Sequence, residues 1–433
     1  MTSGSVTGGG VTGGGVSGGG VPLGELAALV AAELPAELPG AIALRQQLHL
    51  NPRLSGQEDD TAEAVCAAIG PTGELDGVRV AAELGWAADA PVRVAGTGRL
   101  LRLGPATGPS VALRAELDAL PLLEQTGLPF ASSSGVMHAC GHDLHCAALV
   151  AMARAVRRVA VRRPELLPHG LLVLLQPREE ASPTGAGDVL ADPAFTAHEV
   201  RAVVGVHVQP VLPRGVVSGR AGAVNASCDE LTITVSGRGG HAAYPHRSDD
   251  VVLALSQTVV SLHHLISRRV DPLDSAVLTI GRLDAGTATN VIPPVARAYG
   301  TIRALDPADR KRLCEAATEV VVHTAAAYGC TGTLELEENE PALRNDPRLS
   351  SAILPTVSGL GLTADEEFRS CGSDDFAHYS EAMPSVMLFV GVDDGTPGAP
   401  GLHNARFAPP DAVIGELALT YLAGLVGGLE LLR

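Results

Sequence analysis

Three segments, "SVALRAEL" (110–117), "HCAALVAMARAVRRVAV" (145–161) and "GLLVLLQ" (170–176), decide the fold. The outer two are short apolar runs bounded by turn residues, as buried strands are; the middle one is long and repeats its apolar residues at helical spacing. Strand, helix, strand is the unit of a parallel sheet, because parallel neighbours need a crossover long enough to hold a helix. A further apolar run, "AVVGVHV" (202–208), extends that sheet. Upstream, "ELAALVAAEL" (25–34), "GAIALRQQLHL" (40–50) and "DTAEAVCAAI" (60–69) read as three helices.

Around residue 222 the pattern changes. "ELTITVSG" (230–237) alternates as a half-exposed strand does. A helix (249–266), two strands (276–286 and 296–305), a second helix (308–329) and a last strand (331–339) follow. That order, β-α-β-β-α-β, is ferredoxin-like. Beyond it, "RLSSAILPTV" and "FAHYSEAM" read as helices, "SVMLFVG" as a buried strand and "PDAVIGELALTYLAGLVGGLELL" as a closing helix. The expected fold is α/β: a catalytic domain with a mostly parallel sheet flanked by helices (22–221 and 339–433), interrupted by an inserted ferredoxin-like α+β domain (222–338). Residues 1–21 repeat a V-[TS]-G-G-G unit, too poor in side chains to offset chain entropy, and are expected to form a disordered extension.

Composition narrows the function. The formal charge of -17 over 433 residues argues against a nucleic-acid partner, which needs basic patches to neutralise phosphates. Lys311 is the single lysine, in a charged stretch, so neither a phosphate loop with its lysine nor Schiff-base chemistry is available. Seven cysteines without a C-x-x-C pair do not form a disulfide framework. No apolar run approaches the roughly 18 residues of a membrane span, and no secretory signal opens the chain, so no membrane partner and a cytoplasmic location are expected.

Ligands of open α/β sheets bind outside the carboxyl ends of the strands. There the sequence places Glu116 and Asp118 after the first strand, Glu179 and Glu180 ("QPREE") after the second, and His207 ("VHVQP") at the third. "MHACGHDLHCAAL" (137–149) adds Cys140 and His142, assigned by their place in the loop before the helix. His138, His145 and Cys146 lie close by, and spacing alone leaves an exchange of roles open. Imidazole, thiolate and carboxylate suit zinc or, with more oxygen donors, manganese, nickel or cobalt. Of two adjacent glutamates, one can hold a metal while the other accepts a proton from water, which points to amide hydrolysis.

The motifs "LRAELDALPLLEQTGLPFASSSGVMHACGHDLHCAAL", "LLQPREEA", "GVHVQP", "VSGRGGHAAYPH", "ATNVIPP", "GTIRALDP", "GSDDFAHYSEAMPSVMLFVG" and "GLHNARFAPPDAVI" resemble, in order, the amidohydrolase branch of the M20 metallopeptidases, which includes hippurate, auxin-conjugate and N-acetyl-diaminopimelate hydrolases. The resemblance implies two divalent metal ions (Zn, Mn, Co or Ni) held by Cys140, His142, Glu180, His207 and His403, with Glu179 as general base and Asp118 orienting the site. It implies a small amide substrate, bound by Asn290 and Arg303, and a homodimer formed through the inserted domain, whose His241 reaches the partner's site. Three departures from the branch concern the cavity: "EEASPTGAG" where glycines are common, Asp374 where Glu is usual, and Gln209 where Trp is frequent.

Other classes fit less well. A zinc oxidoreductase needs a G-x-G-x-x-G turn and a serine hydrolase a G-x-S-x-G elbow, and neither is present in the right place. A non-catalytic binding protein on the same scaffold is the alternative, and a missing ligand or base would favour it.

Overall fold

The computed structural model describes residues 23–70, 91–271 and 273–433, together with the backbone of 74–75 and 78–79; the Gly-rich extension expected at 1–21 lies outside them. In chain order the strands of the two main sheets are β1 (Val92–Val94), β2 (Gly98–Leu103), β3 (Ser110–Glu116), β4 (Gly170–Gln176), β5 (Val200–Pro213), β6 (Val216–Ser218), β7 (Asp229–Ser236), β8 (Ala276–Ala285), β9 (Val295–Ala304), β10 (Thr331–Glu338), β11 (Thr363–Asp365) and β12 (Ser385–Asp393). The larger sheet runs β11-β6-β12-β5-β3-β4-β2-β1. Its centre, β12-β5-β3-β4, is parallel, and β2 and β1 close one side antiparallel.

Helices α1 (Leu23–Leu50), α2 (Asp59–Ile69), α3 (His142–Arg162) and α7 (Val413–Leu431) cover one face. Leu44, Val156, Tyr421 and Leu425 pack there with Val111, Leu113 and Ala115 of β3. The alternate residue Ala112 joins Leu172, Leu174, Val203, Phe376 and Met387 on the other face. β3 and β4 are therefore buried on both sides, which explains their unbroken apolar runs. The "GLVGG" segment of α7 has its own reason: a Cβ at Gly428 would meet Val111 Cγ1 at 2.6 Å, so only glycine lets α7 lie this close to the sheet.

Two details differ from the sequence reading. Residues 23–50 form one helix through Pro35 and Pro39 rather than two. A proline forfeits a helical hydrogen bond, but here the stretch between the two prolines is pinned: buried Glu37 accepts from Arg154 Nε and Arg158 Nε of α3, each at 2.5 Å. Secondly, α1 and α7 do have the length and mean apolarity of a membrane span. α7 is nevertheless largely buried in the protein, and the apolar residues of α1 enter the same core.

The smaller sheet, β8-β9-β7-β10, is antiparallel throughout. Helices α4 (Val251–Arg269) and α5 (Pro307–Ala327) pack on it, and Ile233, Leu255, Leu262, Ile302, Leu313 and Val321 build a separate core. Where the two layers join, the strands leaving and returning are stitched together: Cys228 N–H donates to Glu340 O (2.9 Å) and Asn339 N–H to Cys228 O (3.3 Å). On α5, Lys311 is exposed, with Glu315 4.0 Å away. Helix α6 (Pro347–Gly359) packs against α7 at the end of the larger sheet.

Candidate metal centre and active site

Strand register brings the candidate residues to one edge. Glu116 of β3 lies opposite Gln176 of β4, Arg114 opposite Gly205 of β5, and His207 opposite Phe389 of β12. His207 thus stands level with the carboxyl ends of its neighbours, although β5 continues to Pro213. Outside this edge is a cavity of about 380 Å³ lined by Cys140, Glu179, Glu180, His207, Arg303 and His403, with Gln209, Asn225, Asp374 and Phe389 among its other walls.

Within the cavity, atoms of metal-ligating type converge without bonding one another well. Cys140 Sγ lies 3.4 Å from His207 Nε2. His403 Nε2 is 3.4 Å from Glu180 Oε1, and His142 Nε2 is 3.8 Å from Glu179 Oε2 and 3.9 Å from Glu180 Oε1. Buried His142 Nε2 and Glu180 Oε1 have no hydrogen-bond partner among the described residues. Tetrahedral ligands at 2.0–2.3 Å from a metal stand about 3.3–3.8 Å from one another. The donor set therefore fits a divalent cation in both chemistry and spacing.

The imidazoles are oriented from behind. His142 Nδ1 lies 2.8 Å from the Asp118 carbonyl and His207 Nδ1 lies 2.7 Å from the Val208 carbonyl, so each Nδ1–H is committed as a donor and each Nε2 lone pair faces the cavity. Asp118 is fixed in turn: Oδ2 accepts from Ser55 Oγ (2.7 Å) and from the Glu180 backbone N–H (2.9 Å). Gly141 precedes α3 at φ 90°, and a Cβ there would meet Val208 Cγ2 at 2.7 Å. Since α3 begins at His142, that residue is the first of the helix rather than the last of the loop, a correction to the sequence reading. His403 adopts φ 59°, rare for a residue with a side chain, and its N–H is held by Ala139 O at 2.9 Å.

The histidines that spacing left interchangeable separate by their bonds. His145 Nε2 accepts from Val208 N–H (3.0 Å) while Nδ1 faces Glu116 Oε2 (2.9 Å), and Cys146 Sγ donates to the Glu116 carbonyl. His138 is buried 6.5 Å from His49 and lines no part of the cavity. Glu116, at a strand end, lies among His142, His145 and His207 but does not line the cavity, and buried Arg114 pairs with it and also with Asp374 (3.3 Å) and Asp375 (2.9 Å).

The charge balance at this edge is negative. Burial, Asp374, Glu180 and Asp375 push Glu179 well above the usual carboxylate range, and burial with Asp374 pushes Asp375 up to about 7 despite Arg114. His142 rises to about 10 because Asp118, Glu116 and Glu180 outweigh the cost of burying its charge. Burial raises the Cys140 thiol strongly, and Glu180 and Glu179 add to it, so metal binding there must displace a proton. A site that drives protons onto Glu179 and His142 is one that cations stabilise.

Of the residues marked in the sequence, Asp118 and His142 are buried behind the cavity wall, whereas His241 and Asn290 stand apart from it. His241 and Asn290 are exposed and adjacent on the smaller layer, where Ala242 N–H donates to Asn290 O at 3.0 Å. Arg303, from β9, reaches the cavity and donates to Cys371 O (3.1 Å).

Residues 112–424 match the family model described as Peptidase family M20/M25/M40. The chain belongs to this family. It is 37% identical over 333 residues to the N-acetyldiaminopimelate deacetylase of Halalkalibacterium halodurans, covering 76% of this chain and 86% of that one. It is 33% identical over 377 residues to the N-acetyl-L-cysteine deacetylase of Bacillus subtilis, covering 86% and 84%. Among solved structures, Bacillus subtilis YXEP, described as a dinuclear metal binding peptidase from the M20 family, superposes with a TM-score of 0.75 at 29% identity over 92% of this chain and 99% of that one.

Residue-by-residue reading of this M20 chain missed the support beneath the candidate metal centre. Ser55 carries no local signal, since only the bridge between Leu54 and Ala119 brings it to Asp118. Arg114 does carry one: an arginine within a strand buried on both faces must be paired, and acidic partners follow. The "EEASPTGAG" loop of this M20 chain is tied down at Thr184, whose hydroxyl donates to Glu340 at 3.0 Å, and at Gly185, whose N–H donates to Arg178 O.

Proposed function

We propose that this M20 family member is a metal-dependent amidohydrolase that cleaves the amide of N-acyl amino acids or related small amides. The observation that carries it is the convergence of Cys140, His142, Glu180, His207 and His403 on one cavity, with Glu179 beside them and Arg303 across from them. The five are assigned as ligands of two divalent ions, with zinc, manganese, cobalt and nickel all compatible with a mixed S, N and O donor set. Bound there, such ions polarise a carbonyl and lower the pKa of water.

The chain's own residues then do the following. Glu179, beside the assigned ligands and with no hydrogen bond to its side chain among the described residues, would take the proton of the attacking water, whose oxygen bonds the carbonyl carbon. Glu179 returns that proton to the departing nitrogen as the C–N bond breaks, giving a carboxylic acid and an amine. Asp118 fixes His142 and the Glu180 backbone and so sets the ligand geometry. Arg303 presents a planar guanidinium suited to the substrate carboxylate. The deacetylase activity in the names of two relatives supports the N-acyl amino acid class.

The division into a catalytic unit (22–221 and 339–433) and an inserted unit (222–338) is supported by the two separate cores. A homodimer through the inserted unit is supported by its unpaired edge strand β8, by exposed Val252, Leu253, Val260 and Leu283, and by His241 and Asn290 standing outside the cavity of their own chain. In the dimer, His241 serves the partner's cavity by stabilising the developing oxyanion, and Asn290 contacts substrate there. A cytoplasmic location is assigned, in keeping with the absence of any disulfide among the described cysteines.

The deciding experiment measures amine release from N-acetyl, N-benzoyl and longer N-acyl amino acids by protein reconstituted with Zn²⁺, Mn²⁺, Co²⁺ or Ni²⁺, against a chelated control. Metal-dependent release from any of them is the expected outcome. Stoichiometric metal binding with no release from any substrate would instead leave a binding protein on an M20 scaffold.

A further inference from the structure

One wall of the cavity is a group to which neither the metals nor the base gives a task. Asn225 lines the cavity and is only 6% exposed, and its side-chain oxygen has no hydrogen-bond partner among the described residues. Its position is firmly set. The strand Gly222–Asn225 pairs with Leu343–Asn345 on one side and bridges to Ser370 on the other, where Ser370 N–H donates to Val224 O (2.8 Å) and Ala226 N–H to Ser370 O (3.2 Å). A buried amide oxygen without a donor costs the fold stability. Among the described residues, the orphaned atoms His142 Nε2 and Glu180 Oε1 belong to proposed metal ligands; Asn225 needs a different explanation.

We infer that Asn225 is a specificity-determining residue that accepts a hydrogen bond from an N–H or O–H group on the side chain of the substrate's amino acid. The inference rests on the amidohydrolase reading above and deepens it. With Arg303 taking the carboxylate, Asn225 reads the side chain that branches beside it, and an apolar side chain of the same shape leaves its oxygen buried and unpaired. Such sites reject the analogue that lacks the donor far more strongly than apolar pockets reject an extra methylene.

The test compares N-acetyl-L-asparagine with the nearly isosteric N-acetyl-L-leucine, using metal-reconstituted wild type, Asn225→Leu and Asn225→Ala, with bound metal per chain as the control for folding. In the wild type, kcat/KM should favour the asparagine substrate by about 10- to 100-fold, and Asn225→Leu should reduce that ratio at least tenfold. A ratio unchanged within about twofold in both variants overturns the inference while leaving the hydrolase reading intact. If the wild type turns over neither compound, the hydrolase reading fails for these substrates and the inference is decided by their Kd values from calorimetry. An equal Kd ratio in wild type and Asn225→Leu then overturns it, and a ratio that shifts at least tenfold supports it.

Discussion

The backbone N–H of Val208 donates to Nε2 of His145 across 3.0 Å, and that bond separates the two histidines in the first turn of α3. With Glu116 on its other nitrogen, His145 has no lone pair left for a metal, whereas His142 keeps Nε2 unpartnered and facing the cavity. His142→Ala should therefore lose bound metal and with it the activity. His145→Ala should keep near-wild-type metal per chain at saturating metal and show its loss as a lower Tm. Elemental analysis of the purified variants checks this, and metal loss in both alike would show that the two imidazoles share the centre.

Glu179 is close to the ligands but is assigned no metal. Glu179→Gln removes the proton acceptor and preserves shape, so kcat should fall by about 10²- to 10⁴-fold with metal content unchanged. Activity within a few-fold of wild type would rule out Glu179 as the base.

Arg114 is fully buried and answers Glu116, Asp374 and Asp375 together. Arg114→Met strips the counter-charge from three carboxylates that stay buried, a change expected to cost about 3–5 kcal/mol. Chemical denaturation read at the larger sheet's transition measures it, and a loss below about 1 kcal/mol would mean that the cluster relaxes into solvent.

His378 Nε2 lies 2.9 Å from Glu340 Oε2, and that ion pair raises the imidazole above its ordinary value against the opposing effect of burial, with Asp375 and Glu381 adding to the rise. Because the folded value exceeds the unfolded one, the pair stabilises fully below about pH 6.5, and that contribution fades as pH climbs through the raised value. Thermal midpoints of wild type should thus fall faster with rising pH over this window than those of His378→Gln. Parallel curves for the two proteins would remove His378 from the pH response.

Much of this was readable from residues in order. The strand-helix-strand run at 110–176 determines the parallel centre, because β-branched and leucine-rich segments of those lengths have few other homes. Residue type at strand ends also marks Asp118, Glu180 and His207; the fold bonds Asp118 to the Glu180 backbone and sets Glu180 and His207 in one cavity wall. What local pattern does not contain is the long-range closure. The continuity of α1 depends on Glu37 meeting two arginines more than a hundred positions away, and the selection of His142 over His145 depends on a backbone amide of β5. Asn225 has no motif at all; only the cavity around it makes its unpaired oxygen visible. His241 and Asn290 mark the opposite case, in which a motif is plain in the sequence while the residues themselves stand exposed outside the cavity lining.

The isolation of Lys311 on α5 gives an experimental handle on the joint between the two layers. Its ε-amine is the only one on any side chain, it is solvent-facing, and it sits on the layer that carries Arg303. With any α-amine blocked, amine-directed chemistry run above the pH at which the lysine deprotonates would place a dye on that helix, and a second probe at partly buried Cys66 on α2, in a chain with Cys314 and Cys371 replaced, would sit on the opposite layer. Energy transfer between the two dyes would then report the distance between layers as substrate fills the cavity.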